Sequence, residues 1–150
     1  MMILIPLLQA PAPPAPAPFK ALYAWGYLGA EGEGQGTLAV LLEPATGKLV
    51  MELHGLGERL VFLTGDAASG YRVQVPRQKL DVQAPTLAGL PLPFLPQVGS
   101  PEALRKLLQE GSGPGVKVQK QGPNGPLKLH YVGKDARGRE EQVWLTRKEP

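Results

Sequence analysis

From Phe19 onward the hydrophobic positions recur with a period of two. Tyr23, Trp25 and Tyr27 alternate with small or polar residues, and "GAEGEGQG" follows as a flexible turn. Leu38, Val40 and Leu42 form the next set, closed by "EPATGK" with proline and glycine turn chemistry. Leu49, Met51 and Leu53 share a face before "HGLGE"; then Leu60 and Phe62 alternate with Val61 and Leu63 up to "GDAASG". Tyr71, Val73 and Val75 oppose Arg72 and Gln74, and Leu80 and Val82 oppose Lys79 and Asp81. After residue 115 the alternation resumes at Val116 and Val118, at Leu127, Leu129 and Tyr131, and at Val143 and Leu145, joined by "GPNG" and "KDARGRE". One-faced alternation of this kind is the signature of half-buried antiparallel strands.

One segment has a helical period instead. Ser100 is a cap residue, Pro101 suits the first helical position, and Leu104, Leu107 and Leu108 make a single stripe opposite Arg105, Lys106, Gln109 and Glu110. Gly111 supplies the stop. The pattern therefore predicts about nine antiparallel strands and one short helix, and a sheet of that width tends to curl. The expected fold class is mainly β: a curled antiparallel sheet forming an incomplete barrel, closed by an apolar loop and the helix.

That loop is "LAGLPLPFLPQVG", residues 87–99, inside a stretch from Val82 to Pro101 that carries no charge. Pro91, Pro93 and Pro96 exclude a helix and a central strand, because each removes a backbone donor. An apolar extended loop has to lie against something greasy. Burying four of its large side chains contributes ~6–12 kcal/mol gross, at ~1.5–3 each, before ordering entropy. Two readings stand here: the loop is a cover over a partly filled concave face, or it is ordinary core.

Composition narrows the chemistry. A chain of 150 residues suits one domain with its own core, and with no cysteine it has neither disulfides nor thiolate ligands. The net charge of +3 is spread among interleaved acids and bases, which argues against nucleic acid as a partner. His54 and His130 lie on separate strands in no metal-ligand spacing, and Ser69, Ser100 and Ser112 have no nucleophile context. Glu31 and Glu33 would repel a phosphate from the glycine-rich turn, and Glu140 and Glu141 point to opposite faces of one strand. No catalytic site, cofactor or metal is expected, and the chain reads as a non-enzyme. Residues 1–18, "MMILIPLLQA" and the "PAPPAPAP" run, read as an apolar start with a polyproline spacer. They suit a secretory signal or tether, or an apolar terminus docked on the domain, with residues 19–150 as a single β domain.

"HGLGE" places Leu56 between Gly55 and Gly57 at a hairpin tip. A tight turn needs glycine or polar residues for its backbone angles and has no use for a leucine. Leu56 either folds back onto the core or is presented outward to a membrane or an apolar partner.

The order of these features resembles the LolA/LolB lipoprotein-localisation family, and most of all the outer-membrane receptor LolB. "ELHGLGERLVFLTG" is similar to its strand ending in a Pro-Leu-Gly-like turn, and "LAGLPLPFLPQV" to its proline segment before a short helix; the likeness runs from about Ala21 to Leu145. The chain departs from LolB-like receptors, which are attached through an N-terminal cysteine, in having none. It also has strand-like "KLDVQAPT" where the family has a helix. The resemblance implies an incomplete barrel over an apolar cavity that binds acyl chains of lipoproteins, or lipid, in the cell envelope, without covalent catalysis. On that reading Trp25, Leu38, Leu42, Met51, Leu53 and Phe62 line the cavity, and Leu90, Leu92, Phe94, Leu95, Leu104 and Leu108 cover it. Leu56 becomes the leucine of transient membrane contact, in the periplasm or at the outer-membrane periphery, with cargo exchanged with a periplasmic carrier partner. The other reading is a structural or assembly module that engages a protein partner through apolar surface.

Overall fold

The computed structural model describes residues 17–30 and 32–148. The apolar start and most of the proline spacer, with the signal or tether reading they carry, lie outside the described residues. Among the described residues nine strands form one sheet: β1 (Phe19–Gly29), β2 (Gly32–Glu43), β3 (Lys48–Gly55), β4 (Glu58–Asp66), β5 (Gly70–Val75), β6 (Leu80–Ala84), β7 (Val116–Gly122), β8 (Gly125–Lys134) and β9 (Glu140–Arg147). The order across the sheet is β6-β5-β4-β3-β2-β1-β9-β8-β7, with every neighbouring pair antiparallel. The edges β6 and β7 do not pair, so the curled sheet stays open and the barrel is incomplete.

Topology explains the apolar loop. β6 and β7 are consecutive in the chain yet lie at opposite edges, so residues 85–115 must cross from one edge to the other. They cross over the inner face, through the 87–99 loop and the helix α1 (Pro101–Glu110). Leu87, Leu90, Leu92, Leu95 and Val98 are buried there in the same core as the inner faces of β1–β5, β8 and β9. The side chains of Trp25, Leu38, Leu42, Met51 and Leu53, at most 4% exposed, belong to that core too. Of the two readings of the loop, ordinary core is the one observed. α1 starts where the Ser100 hydroxyl accepts the Ala103 N–H at 3.1 Å, with Pro101 in its first turn, and it stops at Gly111, φ 70°. Its stripe of Leu104, Leu107 and Leu108 is fully inward.

Phe62 is a correction. In "LVFL" both faces are apolar, so alternation alone does not say which pair points inward. The pairing decides it: Val61 lies opposite Leu53 and Leu63 opposite Met51, both completely buried, while Phe62 lies opposite Glu52 on the outer face. The Arg59 guanidinium sits 4.3 Å over its ring, a cation–π contact on the solvent side. Phe62 therefore lines no cavity.

Candidate functional site

Because neighbouring strands are antiparallel, their connections alternate between the two ends of the sheet. The β1–β2 turn, the β3–β4 turn, the Pro76–Gln78 3₁₀ turn between β5 and β6, and the β8–β9 hairpin all fall on one rim. An ion pair from Arg77 to Glu58 ties two of these connections together. Both features of interest sit on this rim.

The first is Leu56. Gly55 pairs directly with Glu58, leaving a two-residue turn in which Leu56 and Gly57 both have positive φ, 52° and 77°. That is the mirror-image turn which matches strand twist and favours Asn-Gly. A leucine in the left-handed region costs roughly 1–2 kcal/mol. Its side chain recovers almost nothing by burial, being 86% exposed where the next most exposed large apolar residue among the described residues, Leu28, is 44%. The inward alternative for Leu56 is not what forms. Replacing Leu56 by Asn, which tolerates this backbone, is expected to raise stability by about 0.5–1 kcal/mol in a denaturant melt. A loss of stability would mean that the leucine packs on something.

The second is a cleft of about 630 Å³ between the β6 edge, at Gln78 and Leu80, and the β8–β9 hairpin. Its size falls within the ordinary range for small-molecule sites. Its floor is Leu80, Pro91, Leu92, Pro93 and Phe94. Phe94 is half-buried with φ 69°, an unusual backbone for a bulky residue. Three contacts hold it. The Trp25 indole N–H donates to its carbonyl at 2.8 Å, and its ring meets Tyr27 edge-on at 5.1 Å and Trp25 edge-on at 6.5 Å.

The inner wall of the cleft carries Glu141, the one charged residue buried among the described residues, 3% exposed. Its cross-strand neighbours are Gly29 on β1 and Gly133 on β8. Two residues before each glycine, on the same face, stands a tyrosine: Tyr27 and Tyr131. A Cβ on Gly29 would collide with the Tyr27 hydroxyl, and one on Gly133 with the Tyr131 hydroxyl. The glycines thus make room for two phenols that lean over the flanks of the carboxyl group. Tyr27 donates to Glu141 Oε2 at 3.3 Å, and the Gln97 main chain hydrogen-bonds Tyr131. Burial pushes the Glu141 carboxyl above its ordinary range; the Tyr27 hydrogen bond opposes this and the charge of Asp135 adds to it. Burial likewise pushes the Tyr131 phenol up.

A carboxyl whose pKa is raised on folding contributes stability that is full below its ordinary value of 4.5 and lost as the pH rises through the folded value. Wild-type thermal stability should therefore fall over that interval, and Glu141→Gln should flatten the profile. Parallel melting curves for the two proteins across about pH 4–8 would show that the carboxyl is not desolvated.

At the mouth, Asp135 is fully engaged. Its Oδ1 accepts the N–H groups of Arg137 and Arg139, each at 2.9 Å, and its Oδ2 accepts Arg139 Nε at 2.9 Å. The Arg139 main-chain bond comes first among the causes that hold its carboxyl below the usual range. Lys134 and Arg137 also line the mouth, and both are exposed.

Of the residues expected to form a cavity, only Leu92 and Phe94 line this cleft. Trp25 touches it indirectly through Phe94, while Leu38, Leu42, Met51, Leu53, Leu90, Leu95, Leu104 and Leu108 are packed core. Glu141, Tyr27 and Leu80 were not expected. The inward parity of Val143 and Leu145 extends two residues back to Glu141, which was the available signal. No protein-family model matches this chain, and no curated protein matches it in sequence.

Proposed function

We propose that this protein binds the acyl chain of a lipid or lipoprotein in the cleft beside Leu92 and Phe94 and passes it to a membrane surface, as a non-catalytic factor of the cell envelope. The observation that carries this reading is Leu56: a leucine held in a costly backbone conformation, 86% exposed, on the rim where the apolar-floored cleft opens. One inserted leucine adds ~1.5–3 kcal/mol, enough for transient contact and too little for anchoring. No helix among the described residues is long and apolar enough to cross a membrane. The resemblance of "ELHGLGERLVFLTG" and "LAGLPLPFLPQV" to motifs of the LolA/LolB family is in keeping with this reading.

The test is native mass spectrometry of the purified protein, followed by titration with a fluorescent acyl-chain probe. Co-purified lipid and saturable 1:1 probe binding are expected. A protein that carries no lipid and leaves the probe in solution would sink the proposal.

A second observation favours the assembly reading. On the outer face Leu22, Ala39, Leu41 and Val50 line a shallow groove of about 520 Å³, rimmed by Lys20, Glu52, Arg147 and Lys148. An apolar strip of this kind on a sheet face suits a protein partner. Leu41→Lys should abolish such an interaction and leave probe binding in the cleft intact.

A further inference from the structure

Resting on the acyl-chain reading, we infer that the cleft selects amphiphiles with an anionic head, the chain lying along Leu80, Pro93 and Phe94 and the carboxylate or phosphate between Lys134 and Arg137. The argument is one of charge and position. Three cations and two carboxyl groups line the cleft. Asp135 and Arg139 neutralise each other through the ion pair from Arg139 Nε to Asp135 Oδ2 at 2.9 Å. Lys134 and Arg137 remain, both exposed at the mouth of the cleft beside its apolar floor. Cations at a lip with a greasy floor below them match a molecule that is apolar along its length and negative at one end.

Glu141 makes the selection sensitive to pH. Facing it are Tyr27 from β1, Tyr131 from β8, Asp135 and Arg139 from the β8–β9 hairpin, and Gln97 from the crossover loop. Protonated, Glu141 leaves the lip with its two cations unopposed. Ionised, it puts a negative charge in the same cleft as the head and opposes it. Anionic amphiphiles should bind more tightly as the pH falls through the Glu141 titration, and Glu141→Gln should hold the tight state at neutral pH.

The experiment uses the full chain and four probes below their micelle concentrations: twelve-carbon lysophosphatidylglycerol, twelve-carbon lysophosphatidylcholine, lauric acid, and inorganic phosphate alone. Binding is read by calorimetry. Lysophosphatidylglycerol is expected to bind about 3- to 30-fold more tightly than lysophosphatidylcholine at low salt, the range two partly exposed charge contacts give. That ratio should shrink toward one in high salt and in the Lys134→Gln/Arg137→Gln double variant. Laurate following lysophosphatidylglycerol would show that a carboxylate head serves as well as a phosphate; laurate following lysophosphatidylcholine would confine the site to phosphate heads of net negative charge. Binding of inorganic phosphate as tight as that of the lipid would overturn the assignment, since the floor would then be irrelevant. Equal affinity of the wild-type protein for the two lysolipids, or a ratio untouched by the double variant, would overturn the head-group selection and leave the acyl-chain reading standing. Failure of every amphiphile to bind overturns both.

Discussion

Leu92→Glu is expected to leave the protein unfolded, or melting tens of degrees below the wild type. Leu92 is 1% exposed in the middle of the crossover, its carbonyl accepts the Gln97 side-chain amide at 2.8 Å, and its side chain belongs to the single core cluster. Truncating such a leucine to alanine typically costs about 2–5 kcal/mol. Glutamate adds the cost of a carboxyl group with no partner, limited by its taking up a proton. The sum approaches the whole stability of an ordinary domain, about 5–15 kcal/mol. Leu92→Ala serves as the graded companion, since each kcal/mol lowers the melting temperature by roughly 2–8 °C in domains of this size range. A Leu92→Glu protein with a nearly native melt would mean that the 87–99 segment lifts away as a lid, contrary to the packing described above.

Leu56→Glu should have the opposite profile. The side chain is 86% exposed, and no atom beyond the two neighbouring residues lies within 4 Å of a Cβ placed on the adjoining Gly57, so the tip has little to pack against. The melt should move by no more than the ±0.5 kcal/mol typical of a surface change. Transfer of an acyl-chain probe from the protein to vesicles should fall at least tenfold, because the leucine's ~1.5–3 kcal/mol of insertion is lost and a carboxylate must be desolvated or neutralised at the interface. Leu56→Trp, apolar and suited to the interface, should retain transfer. Equal transfer rates for Leu56→Glu and wild type would remove the membrane-contact role. A melt lowered by many degrees would instead show that Leu56 is packed.

All nine strands and the single helix were legible along the chain, and for a physical reason. Most are one-faced elements whose apolar period is local: Tyr23, Trp25 and Tyr27 on β1, or Leu104, Leu107 and Leu108 on α1 behind Ser100 and Pro101. The odd leucine of "HGLGE" was legible too, as a residue that its turn does not require. The fate of "LPLPFLP" was not. Proline excluded helix and central strand, but whether the loop covers a space or fills it depends on how far apart the edges β6 and β7 lie, and no local pattern encodes that.

What the sequence by itself determined was the order of strands and helix, because hydrophobic period, proline and glycine act over a few residues; the first turn is shorter than its glycines suggest, since "GEGQG" begins β2 at Gly32 and pairs with β1. What only the tertiary structure decided was parity and register. "LVFL" became Val61 and Leu63 inward and Phe62 outward only when Leu53 and Met51 fixed the partner positions. The motif "YLG" at Tyr27–Gly29 and its counterpart "YVG" at Tyr131–Gly133 lie about a hundred residues apart in the chain. They flank Glu141 because β9 pairs with β1 on one side and β8 on the other. A carboxyl group between two phenols at the wall of an apolar cleft is a property of three strands brought side by side, and strand pairing between distant segments is set by the total burial the sheet achieves, which no single segment carries.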